Sequence, residues 1–89
     1  MSNLDNLRKQ VDKVDEKILL LLGKRMSVAR KIGQLKKEKS LPVLDKTRWN
    51  QVLRSNLVKS ENLGLSKNFI REIFRIIHKN SLRVQKGIK

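Results

Sequence analysis

The chain has 89 residues, enough for one small domain and marginal for burying a core alone. Its 22 Lys and Arg against 8 Asp and Glu leave a net charge of +14, a field that draws nucleic acid, acidic membranes or small carboxylates alike. The absence of Cys excludes a disulfide framework and a thiolate zinc site, and the lone His78 has no cluster of carboxylates near it in sequence to complete a metal site.

No apolar run approaches the roughly 20 residues needed to span a bilayer, and MSNLDNLRKQ lacks the apolar stretch of a signal peptide. The expectation is a reduced, cytoplasmic protein. Four Gly and one Pro are too few for a turn-rich β fold, and the strong helix formers Leu, Lys, Arg and Gln abound.

The first helix is predicted over about residues 3–38. Ser2 or Asn3 can cap it, and Asp5 favours the positive end of its dipole. Leu4, Leu7, Val11, Val14, Ile18 and Leu21 recur at steps of three and four, and Val28, Ile32 and Leu35 resume the pattern. Gly23 and Gly33 each cost up to ~1 kcal/mol in a helix interior, which weakens the segment without breaking it. A rod of this length, roughly 50 Å, calls for a coiled-coil-like partner.

Pro42 breaks the pattern in a loop over 39–44 by forcing Leu41 out of helical geometry. Asp45 reads as the N-cap of a second helix over about 45–62, with Leu44 and Trp49 placed to form a hydrophobic staple. Val52, Leu53 and Leu57 continue an apolar face as far as Gly64, a natural stop. Ser66 then caps a third helix over about 66–86, whose inner face reads Ile70, Ile73, Phe74, Ile77, Ser81 and Val84, with Gln85 beside it. The fold class is all-α, a single domain over 1–89. Two shorter helices cannot cover a rod with an apolar seam along its whole length, so an intertwined homodimer is expected.

Arg25 interrupts that seam between Leu21 and Val28. A polar seam residue often sets register or oligomer state. Lys36 lies eleven residues on, about 20° round the helix and roughly 16 Å along it, so two cations share nearly one line with room for a small polyanion between them. Ser81 and Gln85, one turn apart, read either as a helix-to-helix hydrogen bond or as neutral donors into the same cavity. Arg48 follows Asp45, read as a cap, at a helix N-terminus that itself favours an anion. Arg8 sits ~25 Å down the rod from Arg25, too far to share a pocket within one chain. In an antiparallel dimer, Arg8 of one subunit comes level with Arg25 of the other. Cations and amide donors without a nucleophile–base pair, a carboxylate pair or a metal cluster suit a reaction that needs orientation and electrostatic stabilisation of a bound dianion.

The set Arg8, Arg25, Lys36, Asp45, Arg48, Ser81 and Gln85, carried by NLRKQVDKVDEKILLLLGKRMSVARKIGQLKK, LPVLDKTRW and IIHKNSLRVQ, resembles the all-helical (type II) chorismate mutase family from roughly Leu4 to Gln85. The resemblance implies a homodimeric isomerase that rearranges chorismate to prephenate, the branch step toward Phe and Tyr, without a cofactor or metal. It implies that Arg25 and Arg8 from the other subunit clamp the substrate carboxylates and that Arg48 orients the substrate. It further implies that Lys36 and Gln85 hydrogen-bond the ether oxygen, that Ser81 meets a carboxylate, and that Asp45 meets the ring hydroxyl or the surroundings of Lys36. Catalytic roles thus fall to Lys36, Gln85 and Arg25.

One departure stands out. After Arg48 many members of the family carry a glutamate for the substrate hydroxyl, whereas this chain has Trp49, whose indole cannot accept that bond. Trp49 is therefore read as a staple residue. The related isochorismate pyruvate lyases, with the same fold and clamp, remain an alternative activity. A basic helical nucleic-acid-binding or structural dimer is the alternative of another class. Against nucleic acid stand the spread of basic residues over all three helices and the scarcity of rings for base stacking, with no Tyr, one Trp and two Phe.

Overall fold

The computed structural model describes residues 2–88. Three helices, α1 (Asn3–Glu38), α2 (Lys46–Glu61) and α3 (Lys67–Gln85), make up the regular structure of these residues, with no strand among them. Each helix begins on a side-chain cap. The Ser2 hydroxyl accepts from the Asp5 amide at 3.2 Å, Asp45 from Arg48 at 3.0 Å and Ser66 from Phe69 at 3.0 Å, so each satisfies an amide that has no partner within the helix.

α1 ends in a tight reversal. The Leu41 amide donates to the Lys36 carbonyl at 2.8 Å and the Ser40 amide to Lys37 at 3.2 Å, with Ser40 in the left-handed region at φ 55°. This is a Schellman closure with serine where glycine is usual, and Pro42 follows it directly. α2 closes in the same way. The Leu65 amide reaches the Ser60 carbonyl at 3.2 Å across Gly64, whose φ of 70° suits a residue without a side chain.

α3 is the element that packs against both others, laying its inner face across the C-terminal half of α1 and against α2. Where α3 meets α1 the backbones touch. A Cβ on the buried Gly33 would lie 2.4 Å from the Gln85 carbonyl oxygen and 2.6 Å from its Cα, so only glycine permits this approach. Gly33, a cost by helix propensity alone, is thus a packing requirement.

The core is thin. Ala29, Ile70 and Val84 are the buried apolar residues, joined by the buried hydroxyls of Ser60 and Ser81. The N-terminal half of α1 runs out alone, giving a molecule 57 Å long and 15 Å across its thinnest dimension. Along that rod Leu4, Leu7, Val11, Val14, Ile18 and Leu21 are each 49–66% exposed. A continuous apolar stripe of this length is unusual on a free-standing surface. No helix among the described residues is long and apolar enough to cross a membrane.

Candidate active site

A cavity of about 410 Å³ opens between the C-terminal half of α1, the start of α2 and the end of α3. α1 lines it with Arg25, Val28, Ala29, Ile32 and Lys36, a run at helical spacing that forms one face. The loop contributes Val43 and the cap Asp45, α2 contributes Arg48, Trp49 and Val52, and α3 contributes His78, Ser81, Leu82 and Gln85. Six of the seven residues singled out in the sequence therefore border one space. Arg8 does not. It lies exposed on the unaccompanied half of α1, 17 positions before Arg25.

The polar groups hold one another in place. The Arg25 guanidinium donates to the Ser81 hydroxyl, which donates in turn to the Met26 sulfur at 3.9 Å. The Ser81 oxygen is thereby oriented as an acceptor for Arg25. The Lys36 ammonium donates to the Val43 carbonyl at 2.6 Å and to Gln85 Oε1 at 2.8 Å. Those two bonds tie the α1 terminus to the loop and to α3, and leave one of three ammonium donors for a ligand. Because Gln85 accepts through its oxygen, its amide NH₂ is the end left to donate.

Arg25, Lys36 and Arg48 line the cavity without a salt bridge to any carboxylate among the described residues; the Asp45 carboxylate is engaged by the Arg48 backbone amide. Burial pushes the Arg25 guanidinium below its ordinary pKa, and the nearby Arg48 pushes it the same way. Like charges are held together here without compensation, an arrangement that costs stability in the empty protein and is relieved by a bound anion. Three cations against one carboxylate match a dianion.

Besides apolar side chains, two aromatic rings not assigned to this space from the sequence line it. Trp49, read from the sequence as a staple residue, lines the cavity and stacks on His78, with centroids 4.1 Å apart and planes within 15°. Burial, then the charges of Arg25 and Lys36, hold the His78 imidazole below the usual histidine pKa. The signal for His78 was present in its spacing, since His78, Ser81 and Gln85 follow one another at three and four residues on α3. Position 49 had a mark of another kind, as the place where the family carries a glutamate for the substrate hydroxyl, but nothing in the sequence paired the Trp49 ring with His78.

The model for "Chorismate mutase type II" matches residues 7–86, nearly the whole chain. The chain belongs to the type II chorismate mutase family. Among relatives, a bifunctional chorismate mutase/prephenate dehydratase of Aquifex aeolicus is 33% identical over 92 aligned positions, covering all of this chain and 25% of that protein. A chorismate mutase of Methanocaldococcus jannaschii is 28% identical, with 97% of this chain and 87% of that one aligned. The chain spans about a quarter of the length of the longer curated relatives it matches. A solved structure, a conserved hypothetical protein from Pyrococcus furiosus, superposes with a TM-score of 0.77 at 39% identity and covers 96% of this chain and 97% of its own. The three-helix fold of this chorismate mutase family member thus has a close structural counterpart.

Proposed function

We propose that this chain catalyses the [3,3] rearrangement of chorismate to prephenate in aromatic amino acid biosynthesis. The observation that carries the reading is the convergence of Arg25, Arg48 and the Lys36–Gln85 pair, none of them neutralised by an acid, on one cavity of about 410 Å³. Chorismate is a dicarboxylate whose enolpyruvyl ether must fold over the ring before it reacts. As the carbon–oxygen bond breaks and the carbon–carbon bond forms, the ether oxygen gains negative charge. No proton need move and no covalent intermediate with the protein forms.

Each residue has a task in that step. Arg25, fixed by Ser81, holds one carboxylate, and Arg48 orients the substrate from the first turn of α2. The free donor of Lys36 and the amide of Gln85 meet the ether oxygen, and Val28 and Ile32 give the ring an apolar floor. The demand is modest: an acceleration of ~10⁶-fold corresponds to about 8 kcal/mol. Removal of one preorganised donor to a developing oxyanion typically costs ~3 kcal/mol, so two donors supply most of the total and the imposed substrate conformation supplies the remainder.

The site is completed by a second copy of the chain. The apolar stripe from Leu4 to Leu21 pairs with its counterpart in an antiparallel homodimer, which carries Arg8 of each protomer to the cavity of the other and gives the second carboxylate its cation. The chain then acts in the cytoplasm on a freely diffusing dianion.

The test is consumption of chorismate and of isochorismate, measured side by side with purified protein and no added metal. Loss of chorismate with matching appearance of prephenate is expected. Turnover of isochorismate alone would transfer the site to the lyase reaction, and inertness toward both would overturn the proposal. Salt-dependent retardation of duplex DNA at physiological ionic strength, without mutase activity, would favour the nucleic-acid reading.

A further inference from the structure

The one group of the cavity with no evident task is the Trp49–His78 stack. His78 projects from α3 one turn before Ser81, and the stacking on Trp49 engages the faces of its ring. Its two nitrogens lie at the ring edge, and no hydrogen bond among the described residues involves either of them. The charged groups that line the cavity with it are Arg25 and Lys36 from α1, and Asp45 and Arg48 from the start of α2; α3 adds no other charge to the lining. An imidazole held at the wall of an anion site, with free nitrogens and three cations around it, is placed to respond to what fills the cavity.

We propose that His78 takes up a proton when a dianionic substrate binds, so that the stacked ring changes from a neutral wall of the empty cavity to a further positive group around the bound ligand. The inference rests on the proposed dicarboxylate substrate and adds a pH-responsive binding residue to the site. In the empty cavity, burial and the charges of Arg25 and Lys36 disfavour imidazolium. A dianion placed among them cancels the net positive charge of the lining and brings its own carboxylates to the ring, which favours the charged form. Trp49 assists, because an indole face stabilises a cation stacked on it. The free nitrogens then become N–H donors for a carboxylate or hydroxyl of the ligand.

The consequence is a definite pH dependence. Between the pKa of His78 in the free protein, which lies below about 6.5, and its higher pKa in the complex, each unit fall in pH strengthens binding by up to about tenfold. Above that window the ring is neutral in both states, and below it charged in both, so affinity levels off on either side.

His78 and Trp49 are the chain's single His and single Trp, so each gives an unambiguous spectroscopic signal in the full-length protein. The imidazole resonance is titrated by NMR between pH 5 and 8.5, alone and with tens of millimolar adipate as a stable dicarboxylate, at ionic strength matched with NaCl. Trp49 fluorescence reports occupancy. An upward displacement of the His78 midpoint by adipate, absent with NaCl, is the expected result. An unchanged midpoint overturns the proposal, whether adipate binds elsewhere or not at all. In the kinetic arm, the KM for chorismate of the wild type falls as pH is lowered through the window, and His78→Asn or His78→Gln flattens that profile. If the variants fail to fold, the wild-type titration decides alone. Chorismate turnover with no displacement of the midpoint would sink this inference and leave the proposed function standing; displacement by adipate without turnover would do the reverse.

Discussion

Lys36 commits two of its three ammonium donors to the protein, one to the Val43 carbonyl and one to Gln85, and the third has no partner among the described residues. Lys67, by contrast, meets the single carboxylate of Glu61 on the exposed surface. Lys36→Ala is expected to lower kcat by ~10²–10³-fold, the usual effect of losing one preorganised donor, with the far-UV circular dichroism unchanged. Retention of full activity would contradict the role assigned to it. His78 makes a second prediction, in the absence of ligand. Its folded-state pKa lies below its unfolded value near 6.5 because of burial first and the neighbouring cations second. The unfolded chain therefore binds the proton more readily. The stability present above about pH 6.5 is lost as pH falls through the folded pKa. Melting temperatures measured from pH 7.5 to 5 should decline in the wild type and decline less in His78→Asn.

At the scale of the element, α1 contains two glycines of opposite meaning. Gly33 is buried, and a Cβ there would collide with the Gln85 backbone, whereas a Cβ on Gly23 would meet nothing within 4 Å. Gly33→Ala is expected to force α3 away from α1, costing ~1–3 kcal/mol of stability and loosening the Lys36–Gln85 pair. Gly23→Ala removes a flexible residue from an open helix position and should stabilise by up to ~1 kcal/mol. Chemical denaturation of the two variants checks the signs, and kcat of Gly33→Ala checks whether the contact also sets the site. The capped start of α2 works at the same scale. Asp45 holds the Arg48 amide, which fixes the first turn from which the Arg48 and Trp49 side chains enter the cavity.

At the scale of the molecule, the exposed stripe along α1 and the position of Arg8 make the same demand. Sedimentation is expected to give about twice the chain mass of 10.4 kDa, and a folded, active monomer would refute the shared site. The sharper test is complementation. Arg8→Ala and Lys36→Ala are each expected to be nearly inactive alone. A mixture refolded together should recover activity, because a heterodimer contains one site with both residues intact. No recovery would mean that Arg8 and Lys36 do not serve one site from different protomers. The surplus of positive charge predicts a further effect. Association with a dianion is steered by the field, so kcat/KM should fall as ionic strength rises from about 0.01 to 0.15 M, where the Debye length shrinks from ~30 to ~8 Å.

The three helices and their caps could be read from the chain because they rest on interactions between residues three or four apart. Asp45 with Arg48 and Ser66 with Phe69 are such pairs, and the seam from Leu4 to Leu35 is a repeat of the same period. Arg25 could be singled out for that reason, as a charge in a position the pattern assigns to an apolar side chain. Other features depend on how one helix is set against another. Lys36 and Gln85 are separated by 49 positions, the Trp49–His78 stack joins two helices, and the value of Gly33 lies in the backbone it touches. Local periodicity carries no record of that register, because it is set by the packing of α3 across its neighbours. The family resemblance had brought Lys36 and Gln85 to one atom, but only the tertiary structure, which sets one helix against another, showed the Trp49–His78 stack and the backbone contact at Gly33.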